Sequence, residues 1–268
     1  MEILGGDVAL GMVGAAGAAA ADHASSHSSS SSKSEEEESV IEEFVRQLQT
    51  NYKAVDSIDL DKFASEKWDD FELTGLETEA ECEAIANADI AAVFDALAKN
   101  VVVKKIYLGF QMSNGIDCEI TSVGAEAISR ALAKNKTVSD LEIDGRSFSR
   151  DGSLNIVLRG LQENNGTKIE TLTISGYYLE EIFEGEGTNA ILGLDGIRIL
   201  ADILRKNTSI RELRLVSNAC AWTRKCCAVL CSGLRANKSI KMLDFLDNRW
   251  LNIKKMTGIC LAVAGEPK

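Results

Sequence analysis

The sequence predicts an α/β fold, a right-handed coil with parallel strands on its concave side and helices on its convex side. Three observations lead there. First, a pattern of three apolar residues, separated by two variable residues and then by one, recurs five times. Its copies are Val103-KK-Ile106-Y-Leu108, Val138-SD-Leu141-E-Ile143, Ile169-ET-Leu172-T-Ile174, Ile210-RE-Leu213-R-Leu215 and Ile240-KM-Leu243-D-Phe245. Second, the copies start 35, 31, 41 and 30 residues apart, and a repeat of that length at fixed phase marks stacked structural units. Third, each copy follows a stretch of helical periodicity that ends in Lys-Asn, Asn-Asn or Ala-Asn. Parallel strands joined by one helix per unit coil right-handedly.

Along the chain, residues 8–21 are apolar and small but follow Glu2 and Asp7 with no Lys or Arg. They therefore lack the positive start of a secretory signal, and they are too short and too rich in Gly and Ala to span a bilayer. The Ser- and Glu-rich run that follows, ADHASSHSSSSSKSEEEE, cannot offset its ordering entropy, so residues 1–38 are expected to be disordered. Ser32 and Ser34 each have an acidic residue three positions on, which makes them candidate phosphorylation sites. Residues 39–80 form an acidic N-terminal capping segment. Ser39 and Glu42 make a capping box, and Val40, Ile41, Phe44, Val45, Leu48 and Tyr52 make a helical stripe. Trp68-DD-Phe71-E-Leu73 is placed as a degenerate first repeat. Residues 81–268 form the repeat domain, with helices expected at 81–99, 122–134, 151–163, 194–206 and 223–236.

Ile210-RELRLVS-Asn218 and Ile240-KMLDFLD-Asn248 carry an Asn eight residues after the first apolar position. With the helical phrases Gly124-AEAISRALAKN and Gly196-IRILADILRKN, they make the chain resemble the leucine-rich-repeat family, in its long-repeat ribonuclease-inhibitor type, over roughly residues 82–265. The resemblance implies a leucine-rich-repeat solenoid in which that Asn bonds neighbouring backbones. Gln111, Arg146 and Tyr177 stand in the Asn position of the other three copies, so those turns must close differently.

Net charge is −12, unevenly distributed. Residues 1–81 hold 19 acidic and 5 basic side chains, while residues 198–255 hold 13 basic and 4 acidic. The basic stretch lacks interleaved aromatics, so nucleic acid is not the expected partner. Sequons occur at Asn135, Asn165, Asn207 and Asn237, all just past a helix. Asn tolerates the left-handed conformation that closes helices, which explains the set without glycans. The cysteine count is odd, at seven, and the spacing is irregular, which fits a reducing, cytoplasmic location.

The two histidines, His23 and His27, lie in the Ser-rich tail. The repeat domain therefore has no Ser-His or Cys-His catalysis and no His-bound metal. There is no Cys-x-x-Cys and no phosphate-cradling Gly-x-x-x-x-Gly-Lys loop, so no cofactor, no metal site and no catalytic residue are expected. Two surfaces could bind a protein partner. On the strands, the residues between apolar positions face the concave side: Tyr107, Glu142, Thr173, Arg214 and Asp244, flanked by Lys105, Asp140, Asp144, Thr171, Glu212 and Met242. The second is the long loop at 177–193, which brings Tyr177, Tyr178 and Phe183 beside four glutamates. The sequence thus points to a non-enzymatic protein-interaction scaffold. The alternatives are a GTPase-activating module of the Ran-activator type, which is similar only through the shared repeat, and nucleic-acid binding through the basic C-terminal repeats.

Overall fold

The computed structural model describes residues 40–60, 79–109, 119–148, 152–176, 191–217, 220–248, 251, 254, 257–259 and 261. Ser32, Ser34, Ser39, the Trp68 segment and Tyr177, Tyr178 and Phe183 lie outside the described residues. Six strands form one sheet: β1 (Ser57–Asp59), β2 (Lys105–Leu108), β3 (Asp140–Asp144), β4 (Thr171–Ser175), β5 (Glu212–Val216) and β6 (Met242–Asp244). Their spatial order is their chain order, and every neighbouring pair is parallel. The described helices are α1 (Val40–Gln49), α2 (Glu79–Leu97), α3 (Ser122–Lys134), α4 (Ser153–Glu163), α5 (Leu194–Lys206) and α6 (Arg224–Ala236).

The repeat begins one unit earlier than its five clear copies suggest. Val55-DS-Ile58-D-Leu60 fits the same apolar pattern, its three apolar residues are buried, and Ile58 pairs with Ile106. The 48 residues between Val55 and Val103 hide it from a search for even spacing. The segment read as a cap therefore supplies the edge strand of the sheet.

Alternation along each strand fixes which face is core. Ile106, Leu141, Leu172 and Leu213 are buried and meet Val93, Ile128, Val157 and Leu200 from the helices in one apolar cluster. Each such side chain contributes about 1.5–3 kcal/mol on burial. A one-residue slip of any strand would turn this set outward.

Asparagines at the ends of α3, α4 and α6 tie their units to the one before. Asn135 Nδ2 donates to the carbonyls of Leu97 and Asn100 in the unit before, at 2.9 and 3.0 Å. Asn164 does the same to Leu132 and Asn135, and Asn237 to Leu204 and Asn207. The Oδ1 of Asn135 accepts from Thr137 and Val138, opening the next strand. Two expectations change here. None of these caps has a positive φ; those at 135, 207 and 237 are extended, so the residue is selected for its carboxamide and not for left-handed tolerance. In the third unit the bonding residue is Asn164, not the sequon residue Asn165. At 135 and 237 the glycan-accepting nitrogen is already bonded inside the fold.

Four residues before the caps at 135, 164 and 237 stand Ala131, Gly160 and Gly233. A Cβ on Gly160 would come within 2.3 Å of the Ser129 carbonyl oxygen, and one on Gly233 within 2.7 Å of the Ala201 carbonyl oxygen. These small residues let consecutive helices touch at the backbone. In α5 the corresponding residue is Ile203, which lines a cleft between α5 and α4, a helix pair less closely packed than α3 with α4 or α5 with α6. The turn from Asn164 to Ile169 is also two residues longer than its counterparts. At this step the asparagine bonding is interrupted. Asn207 accepts from Ser209 and Ile210 through Oδ1, but its Nδ2 donates to neither Leu161 nor Asn164.

Arg146 closes its turn without an asparagine. Asp144 Oδ1 accepts from Arg146 N at 3.0 Å, and its carboxylate binds the guanidinium, leading into a short 3-10 turn at Gly145–Ser147. Asn248 acts as expected for the repeat. Its Nδ2 donates to Leu215 O at 2.6 Å, and its Oδ1 accepts from Trp222 Nε1.

Candidate functional site

Parallel register aligns the outward strand residues into rows. Asp59, Tyr107, Glu142, Thr173, Arg214 and Asp244 are successive partners across all six strands. Beside them runs Ser57, Lys105, Asp140, Thr171, Glu212 and Met242. Every member of both rows is exposed or half-buried, while the residues between them are core on β1 to β5. The sheet therefore has one apolar face under the helices and one polar face open to solvent. The predicted strand residues Lys105, Tyr107, Asp140, Glu142, Thr173, Glu212, Arg214 and Asp244 are brought together on this open face. Asp144 is a correction: it shares their parity but is 2% exposed, because Arg146 folds over it. Asp59 and Ser57 were missed, since β1 was missed.

The face is acidic toward β1 to β3 and mixed toward β5. Partial burial is the main cause that raises the Glu142 carboxyl above its usual range; Arg214 opposes the shift, and Asp144 and Asp59 add to it. Arg214 Nη2 binds Glu212 Oε2 at 3.0 Å along its own strand. Its Nε is enclosed and has no hydrogen-bond partner, though the side chain as a whole is 42% exposed. The enclosed Nε is out of a partner's reach, but the partly exposed guanidinium, held by one carboxylate beside Thr173 and Asp244, suits recognition of a partner's polar groups. Tyr and Arg are the residue types that most often carry binding energy at interfaces.

Among the described residues, no group of three His, Cys, Asp or Glu side chains could hold a metal ion. Cys220, Cys226, Cys227 and Cys231 are buried and form no disulfide. Burial pushes the Cys220 thiol well above its ordinary value, with Cys226 and Cys227 adding to the shift, and burial also raises Cys231. A thiol so shifted is a poor nucleophile. No described helix is long and apolar enough to cross a membrane.

No protein-family model matches the chain. It is similar to "NACHT, LRR and PYD domains-containing protein 5" of Homo sapiens, with 23% identity over 148 residues, which is 49% of this chain and 12% of that protein. The chain thus matches only a small part of that relative's length. Among solved structures it is similar to "Leiomodin-1 Actin-Binding Site 2 (ABS2)", with a TM-score of 0.41 and 14% identity over 85% of this chain and 89% of that one. It is also similar to the Caenorhabditis elegans tropomodulin C-terminal domain, with a TM-score of 0.38 and 9% identity over 85% and 93% of the two chains. Likeness at these scores is too loose to transfer a partner or an activity.

Proposed function

We propose that the chain is a leucine-rich-repeat solenoid whose activity is non-enzymatic protein binding through its concave, strand-lined face. The observation that carries this reading is the six-residue row from Asp59 to Asp244, solvent-facing and in strict register over a continuous core. Stacked repeat units present such surfaces to partners. The repeat pattern, the sequential parallel sheet and a relative that bears LRR in its name support the class. On this reading Tyr107 and Arg214 are the anchors, Glu142 and Asp244 set charge preference, and the molecule works in the cytoplasm. Neither the GTPase-activating reading nor the nucleic-acid reading draws support from the open face. It offers no Arg row for phosphates, and its two rows hold five carboxylates against Lys105 and Arg214.

The test is affinity capture from cytosol with the wild-type chain and with the Tyr107→Ala and Arg214→Glu variants, each shown to be folded by circular dichroism. Partners retained by the wild type and lost from both variants are expected. Identical capture by all three would sink the proposal.

A further inference from the structure

A second surface lies where helices end and strands begin. Between the C-terminal ends of α4 and α5 lies a shallow cleft of about 30 Å³, open to solvent and with room for one small polar group. Its apolar floor includes Leu161 and Ile203, and its polar rim includes Asn165, Thr167, Lys206 and Asn207. The cleft exists because Ile203 occupies a position where α3, α4 and α6 carry Ala or Gly. Asn207 Nδ2, whose counterparts at 135, 164 and 237 each bond two carbonyls of the preceding unit, makes no such bond here. Leu161 O accepts from Asn164 N and Asn164 O from Thr167 N within their own unit.

The surroundings of the cleft are cationic. Lys136, Lys168, Lys206, Arg211, Lys238 and Lys241 are exposed along this edge, against Glu163 and Glu170. None of the six forms an ion pair among the described residues. Two of them lie on a line fixed by the backbone, where Arg211 N bonds Glu170 O and Lys241 N bonds Arg211 O. The band from β3 to β6 covers three strand spacings, or about 15 Å, the reach of about five extended residues.

We propose that this edge binds an acidic polypeptide segment, with one carboxylate at the mouth of the cleft, a single oxygen entering it against Asn207 Nδ2 and the Lys206 ammonium. The cleft supplies a geometric site, and the band supplies the field that draws carboxylates to it. A nucleic acid fits less well, because no exposed ring stands along this stretch of the edge to stack a base.

The experiment uses the full chain and a fluorescent polyglutamate peptide of about twelve residues, titrated by anisotropy at low salt and at about 0.3 M salt. Asn207→Asp keeps the Oδ1 acceptor for Ser209 and Ile210 but places a like charge in the cleft. It is expected to weaken binding at least tenfold. Lys206→Gln is expected to weaken it several-fold, while Lys225→Gln, at the opposite end of α6, leaves it unchanged. Should Asn207→Asp unfold the chain, Lys206→Gln against Lys225→Gln decides. The proposal is overturned if the peptide does not bind at low salt or if the cleft and control variants bind alike. It is also overturned if an oligouridylate of equal charge binds more tightly and ignores both cleft variants.

Discussion

Replacing Asn135 by Asp changes one atom of the staircase that joins the units. The Oδ1 that accepts from Thr137 and Val138 is kept, while the donor to Leu97 O and Asn100 O becomes an oxygen. Loss of two neutral hydrogen bonds costs about 0.5–1.5 kcal/mol each. Turning a carboxylate oxygen toward two carbonyls in a site that is 6% exposed adds at least about 1–3 kcal/mol. A destabilisation of about 3 kcal/mol is therefore expected, which lowers Tm by about 6–12 °C in a domain of this size. Asn237→Asp should behave similarly, since its donors reach Leu204 O and Asn207 O at 2.8 and 3.1 Å. Asn207→Asp has the same chemistry at the same helix-end phase, yet breaks no Nδ2 bond. It should shift Tm by less than about 4 °C, because only the helix-end dipole opposes it, by about 0.3–1 kcal/mol. Differential scanning fluorimetry of the three variants measures the contrast. Equal losses at 135, 207 and 237 would refute the reasoning, because helix-end charge alone would then explain them.

Further outcomes follow from the packing and the titratable groups. Gly160→Ala forces α4 off α3 by driving a Cβ into the Ser129 carbonyl, so a loss of about 1–3 kcal/mol by urea denaturation is expected. No loss there would mean that the helices can separate freely. Because the folded Glu142 carboxyl titrates above its unfolded value, the folded state holds the extra proton between the two, and stability falls as pH rises through that window. Glu142→Gln should therefore raise Tm at pH 7 and leave it unchanged well below the unfolded carboxyl range. A Tm gain that persists at low pH would contradict the assignment. Cys220 and Cys226 should resist a maleimide at pH 8 in the folded chain and react in urea, read by mass spectrometry. Rapid native labelling would show that this part of the core opens.

Much of this architecture is legible in the residues because local pattern and long-range packing agree. The expected helices at 122–134 and 194–206 match the observed bounds, since Ser122 and Leu194 open the stripes and an Asn closes them. The rows of the open face follow from period-two alternation alone, once the parallel register is known. Three features needed coordinates. β1 carries the repeat pattern in full, but its distance to the next unit breaks the spacing that revealed the others. Asp144 has an outward parity and is buried all the same, because a residue two positions on folds back over it, and alternation cannot encode that. The α4–α5 cleft arises from Ile203 at a small-residue position, which becomes meaningful only when Ala131, Gly160 and Gly233 are known to be contact points. The Ala or Gly four residues before the caps at 100, 135, 164 and 237 is a signal in the sequence, and Ile203 before the cap at 207 is its exception.

The claim that matters most is that the strand face, and not the helical face, meets the partner. A photocrosslinking amino acid placed at Tyr107, and in a separate variant at Lys225 on α6, tests it directly in living cells. The account predicts discrete, competable crosslinked species from position 107 and none from position 225. Crosslinks from 225 alone, or none from 107, would contradict it.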